Sequence, residues 1–343
     1  MRIAFRCDAS PSIGGGHVMR CISLACALGE RGHEVTFVCT TTSKSTVKAL
    51  EESHFPVLLL EDEDLSGERT TAALQGHWNQ RGDIIVFDSY VLGALAETRS
   101  RRVARRVVAI DDLANRRHDC ELLLDQSYGR SAETYAEFVP RRCCVLAGTR
   151  YALLRPEFAV HRKAALMRRS MKAPCQRLLV TMGLTDVGGI TAKVVQAISS
   201  ARTGMVIDAV VGRQATSMGS LMLIKEGNPN VNIHVDTDRL CELMTCSDLA
   251  IGGAGSTMWE RCCLGLPTLA LILADNQFSA ARALSDAGCC ISLDARGGIP
   301  PNIASVVEDL SHDNAGRHEM ALRASDVCDG LGVSRVVSCL EDL

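Results

Sequence analysis

Several things are missing from this sequence of 343 residues, and each absence narrows what the chain does. There is no long hydrophobic run. The longest largely apolar stretch, 264–274, is 11 residues and is broken by Gly265 and Pro267, whereas a bilayer span needs about 20. No charge of one sign dominates: 40 acids face 37 bases, for a net charge of −3. Such a balance gives no bulk attraction to nucleic acid or to an anionic membrane surface. No Cys-x-x-Cys pair occurs among the 16 cysteines, so zinc-ribbon and thioredoxin-like spacings are missing. No internal repeat or low-complexity tract stands out, and the composition excludes collagen, coiled coil and disorder.

What is present fits a soluble globular enzyme. Hydrophobic residues make up 47% and charged residues 22%, and at roughly 150 residues per domain the length suggests two domains. Arg2 and Asp8 stand where a signal peptide needs an apolar core, which argues for a cytoplasmic protein. In a reducing compartment the cysteines are expected to act as small buried hydrophobes.

Short runs rich in β-branched residues alternate with helical patterns along the whole chain, the signature of parallel sheets with crossover helices. The first half offers strands at 2–6, 34–39, 56–60, 83–87, 107–110, 122–125 and 144–147. Helical patterns at 17–30 and 93–105 lie between them. The pattern restarts with strands at 177–182, 206–211, 232–235, 249–252, 268–273 and 290–293. The expected fold class is therefore α/β, with two Rossmann-like domains. Residues 1–161 form the first and 177–325 the second, joined by a basic linker at 162–176. Residues 326–343 are expected to be helical and to pack back on the first domain. The arginine run at 99–106 is expected on a solvated helix face.

Two glycine-rich turns follow strands and open helices. In Gly14-Gly15-Gly16-His17 the glycines let backbone N–H groups approach an anion at the positive end of a helix. A dinucleotide fingerprint would need glycine where Met19 sits, and strand two ends Val38-Cys39 without a ribose-binding acid. NAD binding is therefore disfavoured. His17 stands in the first helical turn at a strand's carboxyl end, where the helix dipole disfavours imidazolium, so the ring is expected to accept a proton. A cap or packing role is the alternative on context alone.

The second turn is Gly253-Ala254-Gly255-Ser256-Thr257, with Glu260 one turn on. Its amides and hydroxyls suit a phosphate, and Glu260 suits a ribose diol. A tight turn with a helix cap is the plainer reading, and the P-loop motif is absent. Gly183, in Met182-Gly183-Leu184-Thr185-Asp186, closes the first strand of the second domain. Two domains that each offer glycine loops at strand ends suggest a cleft for a bulky phosphorylated ligand such as a nucleotide sugar.

Taken in order, the motifs Phe5-Arg6-Cys7-Asp8-Ala9-Ser10, Ile13-Gly14-x-Gly16-His17-x-x-Arg20, Ile110-Asp111-Asp112, Tyr151-Ala152-Leu153-Leu154-Arg155-Pro156-Glu157-Phe158, Gly255-Ser256-Thr257-x-Trp259-Glu260 through Pro267, and Asn276-Gln277 resemble the nucleotide-sugar hydrolases of pseudaminic acid synthesis. The resemblance runs from residue 1 to about residue 290. It implies a two-domain glycosyltransferase-B type fold, similar to that of the peptidoglycan N-acetylglucosaminyl transferase. It also implies cleavage of UDP-2,4-diacetamido-2,4,6-trideoxy-β-L-altropyranose at the sugar–phosphate bond, with His17 as general base. Gly14, Gly16, Arg20, Tyr90, Arg155, Gly183, Gly255, Ser256, Thr257, Glu260, Asn276 and Gln277 are carried to the substrate side. Leu184 stands where that family's turn has a second glycine, which bears on backbone approach to phosphate there.

UDP leaves as a stable anion, so the paired carboxylates of ordinary glycosidases are not needed and activation of water becomes the main task. The reading calls for no metal and no cofactor, and for a small-molecule UDP-sugar as sole partner of a monomer. Asp8 is a candidate to orient His17 and to face substrate. Asp111-Asp112 read as a helix N-cap before a metal pair. A glycosyltransferase, a hydrolysing UDP-N-acetylhexosamine 2-epimerase and a nucleotide-sugar sensor are the competing readings.

Overall fold

The computed structural model describes residues 1–62, 64–171, 173–201 and 204–343; Lys172, in the expected linker, falls outside them. The chain divides into two units, Met1–Leu153 with Leu331–Leu343, and Leu154–Gly330.

The first unit is built on β1 (Arg2–Cys7), β2 (Glu34–Thr40), β3 (Val57–Leu60), β4 (Gly82–Asp88), β5 (Ala104–Ile110), β6 (Leu122–Asp125) and β7 (Cys144–Ala147). They form one sheet of order β3-β2-β1-β4-β5-β6-β7, and every pairing is parallel. Helices cover both faces of such a sheet, so its central strands must be apolar on both sides. Ile3, Ala4 and Phe5 of β1 and Ile84, Ile85, Val86 and Phe87 of β4 are accordingly buried. The chain winds one way from β1 to β3 and the other way from β4 onward, so the loops after β1 and β4 diverge and open a crevice at the strands' carboxyl ends.

The second unit repeats the plan with β8 (Arg177–Thr181), β9 (Val206–Val211), β10 (Val231–Val235), β11 (Leu249–Gly253), β12 (Thr268–Ile272) and β13 (Ile291–Asp294). Its order, β10-β9-β8-β11-β12-β13, puts the reversal between β8 and β11. Leu178, Val180, Leu249 and Ile251 from those two strands pack with Val194, Val195 and Ile198 of the helix Ile190–Ser200.

The C-terminal helix Gly332–Glu341 belongs to the first unit. Its Glu341 takes Arg31 at 2.5 Å and His33 at 3.0 Å.

Three expectations from the sequence are corrected. Residues 162–170 are helix, within Pro156–Ser170, and lie inside the second unit. Their basic side chains close the ends of neighbouring helices. Arg162 donates to the carbonyls of Cys263, Ser325 and Cys328, and Arg169 to those of Met244 and Thr245. Cations at helix C-termini satisfy orphan carbonyls and the dipole together, which is why a basic run here is structure and not linker. The arginine run at 99–106 is likewise split: the helix Ala94–Ser100 ends inside it, and Arg105 and Arg106 are in β5. Arg101 is clamped by Asp119 and Glu121. No helix follows Asp111. Its carboxylate instead accepts the Ala114 N–H at 2.8 Å and Arg116 at 2.6 Å, fixing a turn.

Ten of the sixteen cysteines are buried and all are free thiols. Among the described residues no helix is long and apolar enough to cross a membrane.

Candidate active site

The crevice of the first unit gathers four side chains. His17 enters from the first turn of the helix Gly16–Glu30, which follows β1. Gly14, at φ 77°, makes the preceding turn by donating to the Ser10 carbonyl. Asp88 ends β4, and the register that pairs Cys7 with Asp88 brings it under the helix. His17 Nδ1 and Asp88 Oδ1 are 2.5 Å apart, and both side chains are buried. With Nδ1–H donated to the carboxylate, Nε2 carries the lone pair and is the ring's proton acceptor. Tyr90, two residues beyond Asp88, stands edge-on to the imidazole at 4.4 Å between ring centres.

Arg20, one turn after His17, grips the same carboxylate through Nε and Nη2, both at 2.6 Å. It reaches Asp112 at 3.4 Å. Burial alone would raise the Asp88 pKa. The charges of Arg20 and His17, with their hydrogen bonds, outweigh burial and hold the carboxyl well below its ordinary range. Arg20, expected on the substrate side, is thus committed to Asp88.

Asp8 does not orient His17. It follows β1, paired with the buried Arg6 at 2.5 Å, and its other oxygen accepts the Thr40 N–H at 2.8 Å. The sequence reading missed Asp88 as the orienting acid. The signal available was an acid at the end of the strand that neighbours β1 across the reversal point.

In the second unit the crevice lies beside β8 and β11. After β11 the 253–257 loop runs through Gly255 and Ser256 into the short helix Thr257–Cys263, whose first turn no side chain caps. Gln277, in the first turn of the helix Asp275–Asp286, accepts the Leu273 N–H at 3.0 Å. Its Nε2 stands 3.7 Å from where a side chain on Gly255 would begin. Asn276 sits in the same helical turn.

Arg155 precedes the helix Pro156–Ser170 and lies 3.1 Å from Glu157 and 3.8 Å from Glu260. Burial pushes the Glu260 carboxyl above its ordinary range; Arg155 and Arg261 pull the other way and Glu157 adds to the rise. Glu260 Oε2 and Arg155 Nε are buried without a hydrogen-bond partner.

The turn after β8 is arranged differently. Gly183 has φ 94°, and Asp186, itself at φ 44°, accepts the Thr191 N–H and hydroxyl at 2.9 and 2.8 Å. That helix start is already occupied by an acid of the chain. The Leu184 carbonyl accepts the Gly212 N–H. The glycine turn after β8 is thus closed by Asp186, whereas no side chain caps the helix that follows the turn after β11.

Among the described residues no group of three or more His, Cys, Asp and Glu is placed to hold a metal ion.

No family model matches the chain. Over 278 residues it is 24% identical to an uncharacterized protein of Methanocaldococcus jannaschii; the match covers 79% of this chain, which spans about half (55%) of that relative. It is 24% identical over 289 residues to the UDP-2,4-diacetamido-2,4,6-trideoxy-beta-L-altropyranose hydrolase of Campylobacter jejuni, covering 84% of this chain and 97% of that protein. A spore coat polysaccharide biosynthesis protein of Bacillus subtilis is 23% identical over 354 residues, covering 100% and 98%. The resemblance read from the motifs is thus present among curated proteins.

Among solved structures, MurG of Acinetobacter baumannii superposes with a TM-score of 0.67 at 15% identity, covering 100% of this chain and 99% of that one. The UDP-GlcNAc 2-epimerase of Neisseria meningitidis, bound to UDP-GlcNAc, gives 0.67 at 12% identity with 100% of both covered. At these identities the likeness establishes the fold, two Rossmann-like domains of the glycosyltransferase-B type, as expected from the sequence.

Proposed function

We propose that this chain is a UDP-sugar hydrolase that converts UDP-2,4-diacetamido-2,4,6-trideoxy-β-L-altropyranose to UDP and the free sugar. The observation that carries the reading is the His17–Asp88 pair at 2.5 Å, which leaves Nε2 as a base at the switch point of the first sheet. The name of the Campylobacter jejuni relative supports the substrate.

In the proposed step His17 Nε2 takes a proton from water as the water oxygen bonds to the anomeric carbon. The carbon–oxygen bond to the β-phosphate breaks on the opposite face, its electron pair leaving with UDP, and the anomeric centre inverts. Asp88 stabilises the imidazolium that forms and holds the ring in one orientation. A positioned base of this kind accelerates by about 10²–10⁴-fold. UDP needs no protonation to leave, so no second carboxylate acts as acid. Tyr90 borders the sugar. The 253–257 loop takes phosphate through its amides and hydroxyls, Glu260 takes the ribose diol, and Arg155, Asn276 and Gln277 complete the nucleotide-sugar contacts. The chain acts as a monomer in the cytoplasm and uses no cofactor.

Incubation with the UDP-sugar alone tests this reading. Stoichiometric UDP and free sugar support hydrolysis, and an untouched substrate sinks it in favour of a transferase or a sensor. Release of a 2-epimerised hexosamine from UDP-N-acetylhexosamine would point to an epimerase instead. In ¹⁸O water the label is expected on the sugar; label on UDP would mean attack at phosphorus.

A further inference from the structure

We propose that Arg261 is a positioning residue of the nucleotide site: its guanidinium, fully buried under the 253–257 loop, fixes the loop and supplies the positive charge that a nucleoside diphosphate neutralises. This rests on the nucleotide-sugar reading above and adds to it a residue that the motif reading did not assign.

The strand end is shaped around the guanidinium. Gly252 lies under it, and a Cβ there would stand 2.4 Å from Arg261 Nη1 and 3.1 Å from the Thr181 carbonyl, so a side chain at 252 would displace the guanidinium. Nη2 donates to the Gly253 carbonyl at 2.7 Å, and Nη1 to the Thr257 hydroxyl at 3.1 Å. The remaining partner is the Met258 sulfur at 3.3 Å, and Nε has none. None of these partners is a carboxylate.

Other buried arginines are provided for. Arg6 has Asp8, Arg20 has Asp88, and Arg317 has the carbonyls of Leu310, Ser311 and Ala173 with the Asn314 amide oxygen. Arg6 shares an unpartnered Nε with Arg261 but has a carboxylate hydrogen bond; Arg261 has none, and burial pulls its pKa below the ordinary arginine value while neighbouring charges, Glu260 among them, work against that. A buried cation that no carboxylate hydrogen-bonds is costly to the fold, and an anion above the loop offsets that cost.

The bonds Arg261 makes also have a direction. By accepting from Nη1, the Thr257 oxygen leaves its own hydrogen to donate outward. By holding the Gly253 carbonyl inward, Arg261 turns that acceptor away from the face an anion would meet. Both effects favour a negatively charged group above the loop, and neither favours a neutral nucleoside.

The test compares UDP with uridine by calorimetry in wild-type protein and in R261M, which fills the same space without charge. R261M removes a buried charge and also the donors to the Gly253 carbonyl and the Thr257 hydroxyl, so its net effect on the fold is the difference of the two. R261M is expected to stay folded, to bind UDP at least tenfold more weakly, and to bind uridine within twofold of wild type. R261K, which keeps the charge, is expected to stay folded and to recover most of the UDP affinity. Failure of both variants to fold, equal losses for UDP and uridine, or unchanged UDP binding each overturn the proposal and make Arg261 structural. Wild-type protein that binds no UDP overturns the nucleotide reading itself and this inference with it, whereas UDP binding shared by R261M overturns only the inference.

Discussion

The two units wind their sheets identically around β1/β4 and β8/β11, yet they furnish the crevice beside those strands in opposite ways. In the first, His17, Asp88 and Arg20 close on one another with bonds of 2.5 to 2.6 Å; the Asp112 oxygen at its margin is left without a partner. In the second, Arg155 Nε, Glu260 Oε2 and Arg261 Nε are all buried and unpartnered within one loop and its flanking helices. A polar set that satisfies itself is preorganised, and preorganised dipoles and bases suit a chemical step. A polar set left incomplete carries a desolvation penalty that a bound ligand would offset. On the proposed reading one fold serves two tasks, and the difference lies in which charges are paired before a ligand arrives.

The sharpest way to break this division is His17→Asn. Turnover is expected to fall by about 10²–10⁴-fold while UDP binds within about twofold of wild type, as read by steady-state kinetics beside calorimetry. If UDP affinity fell as far as turnover, the first unit would be a binding element and the contrast would disappear.

Asp88→Asn comes next. The ring loses its fixed orientation, for which roughly 10²-fold in kcat is expected. Arg20 loses its carboxylate, for which roughly 3–5 kcal/mol of stability is expected in urea unfolding. Because the folded-state pKa of Asp88 is depressed, its stabilisation is fully present above the ordinary carboxylate value near ~4 and is lost as pH falls below it. The acid limb of the stability curve should therefore be shallower in the asparagine variant. An unchanged limb would show that Asp88 is not the group that titrates.

How far the sequence alone reaches follows the same contrast. Each strand was legible because a parallel strand covered on both faces must be an apolar run, and the expected starts and ends lie within a few residues of the observed ones, as in Leu122–Asp125 and Val206–Val211. The glycine turns and His17 were legible as local patterns. Asp88 was not, because its partner is 71 residues away and only the β1/β4 register joins them. Asp8, the residue after β1, looked like the nearer acid, but the buried Arg6 of that strand claims it. Arg162 and Arg169 looked like a linker because charge without visible periodicity is the mark of one; their acceptors are the ends of helices 75 or more residues on. Local chemistry is written in the chain, whereas the pairing of charges is written in topology.

The mildest test acts on the incomplete side. In Glu260→Gln the carboxylate that faces Arg155 becomes a neutral amide with the same outline. If Glu260 accepts from a ribose diol, weakening a charged acceptor should cost about tenfold in UDP affinity, and the preference for UDP over 2′-deoxy-UDP should narrow by a similar factor. Turnover at saturating substrate should change little, in contrast to His17→Asn. The effect on the fold has the opposite sign to that of Asp88→Asn. Burial raises the Glu260 pKa, so its contribution is fully present below the ordinary carboxylate value, where the group is protonated, and is lost as pH rises through the raised value. The glutamine variant should therefore gain in melting temperature relative to wild type over the pH interval above the ordinary carboxylate value. A relative loss over that interval would mean that Glu260 is paired as tightly as Asp88, and that the two crevices differ less than their unpartnered atoms indicate.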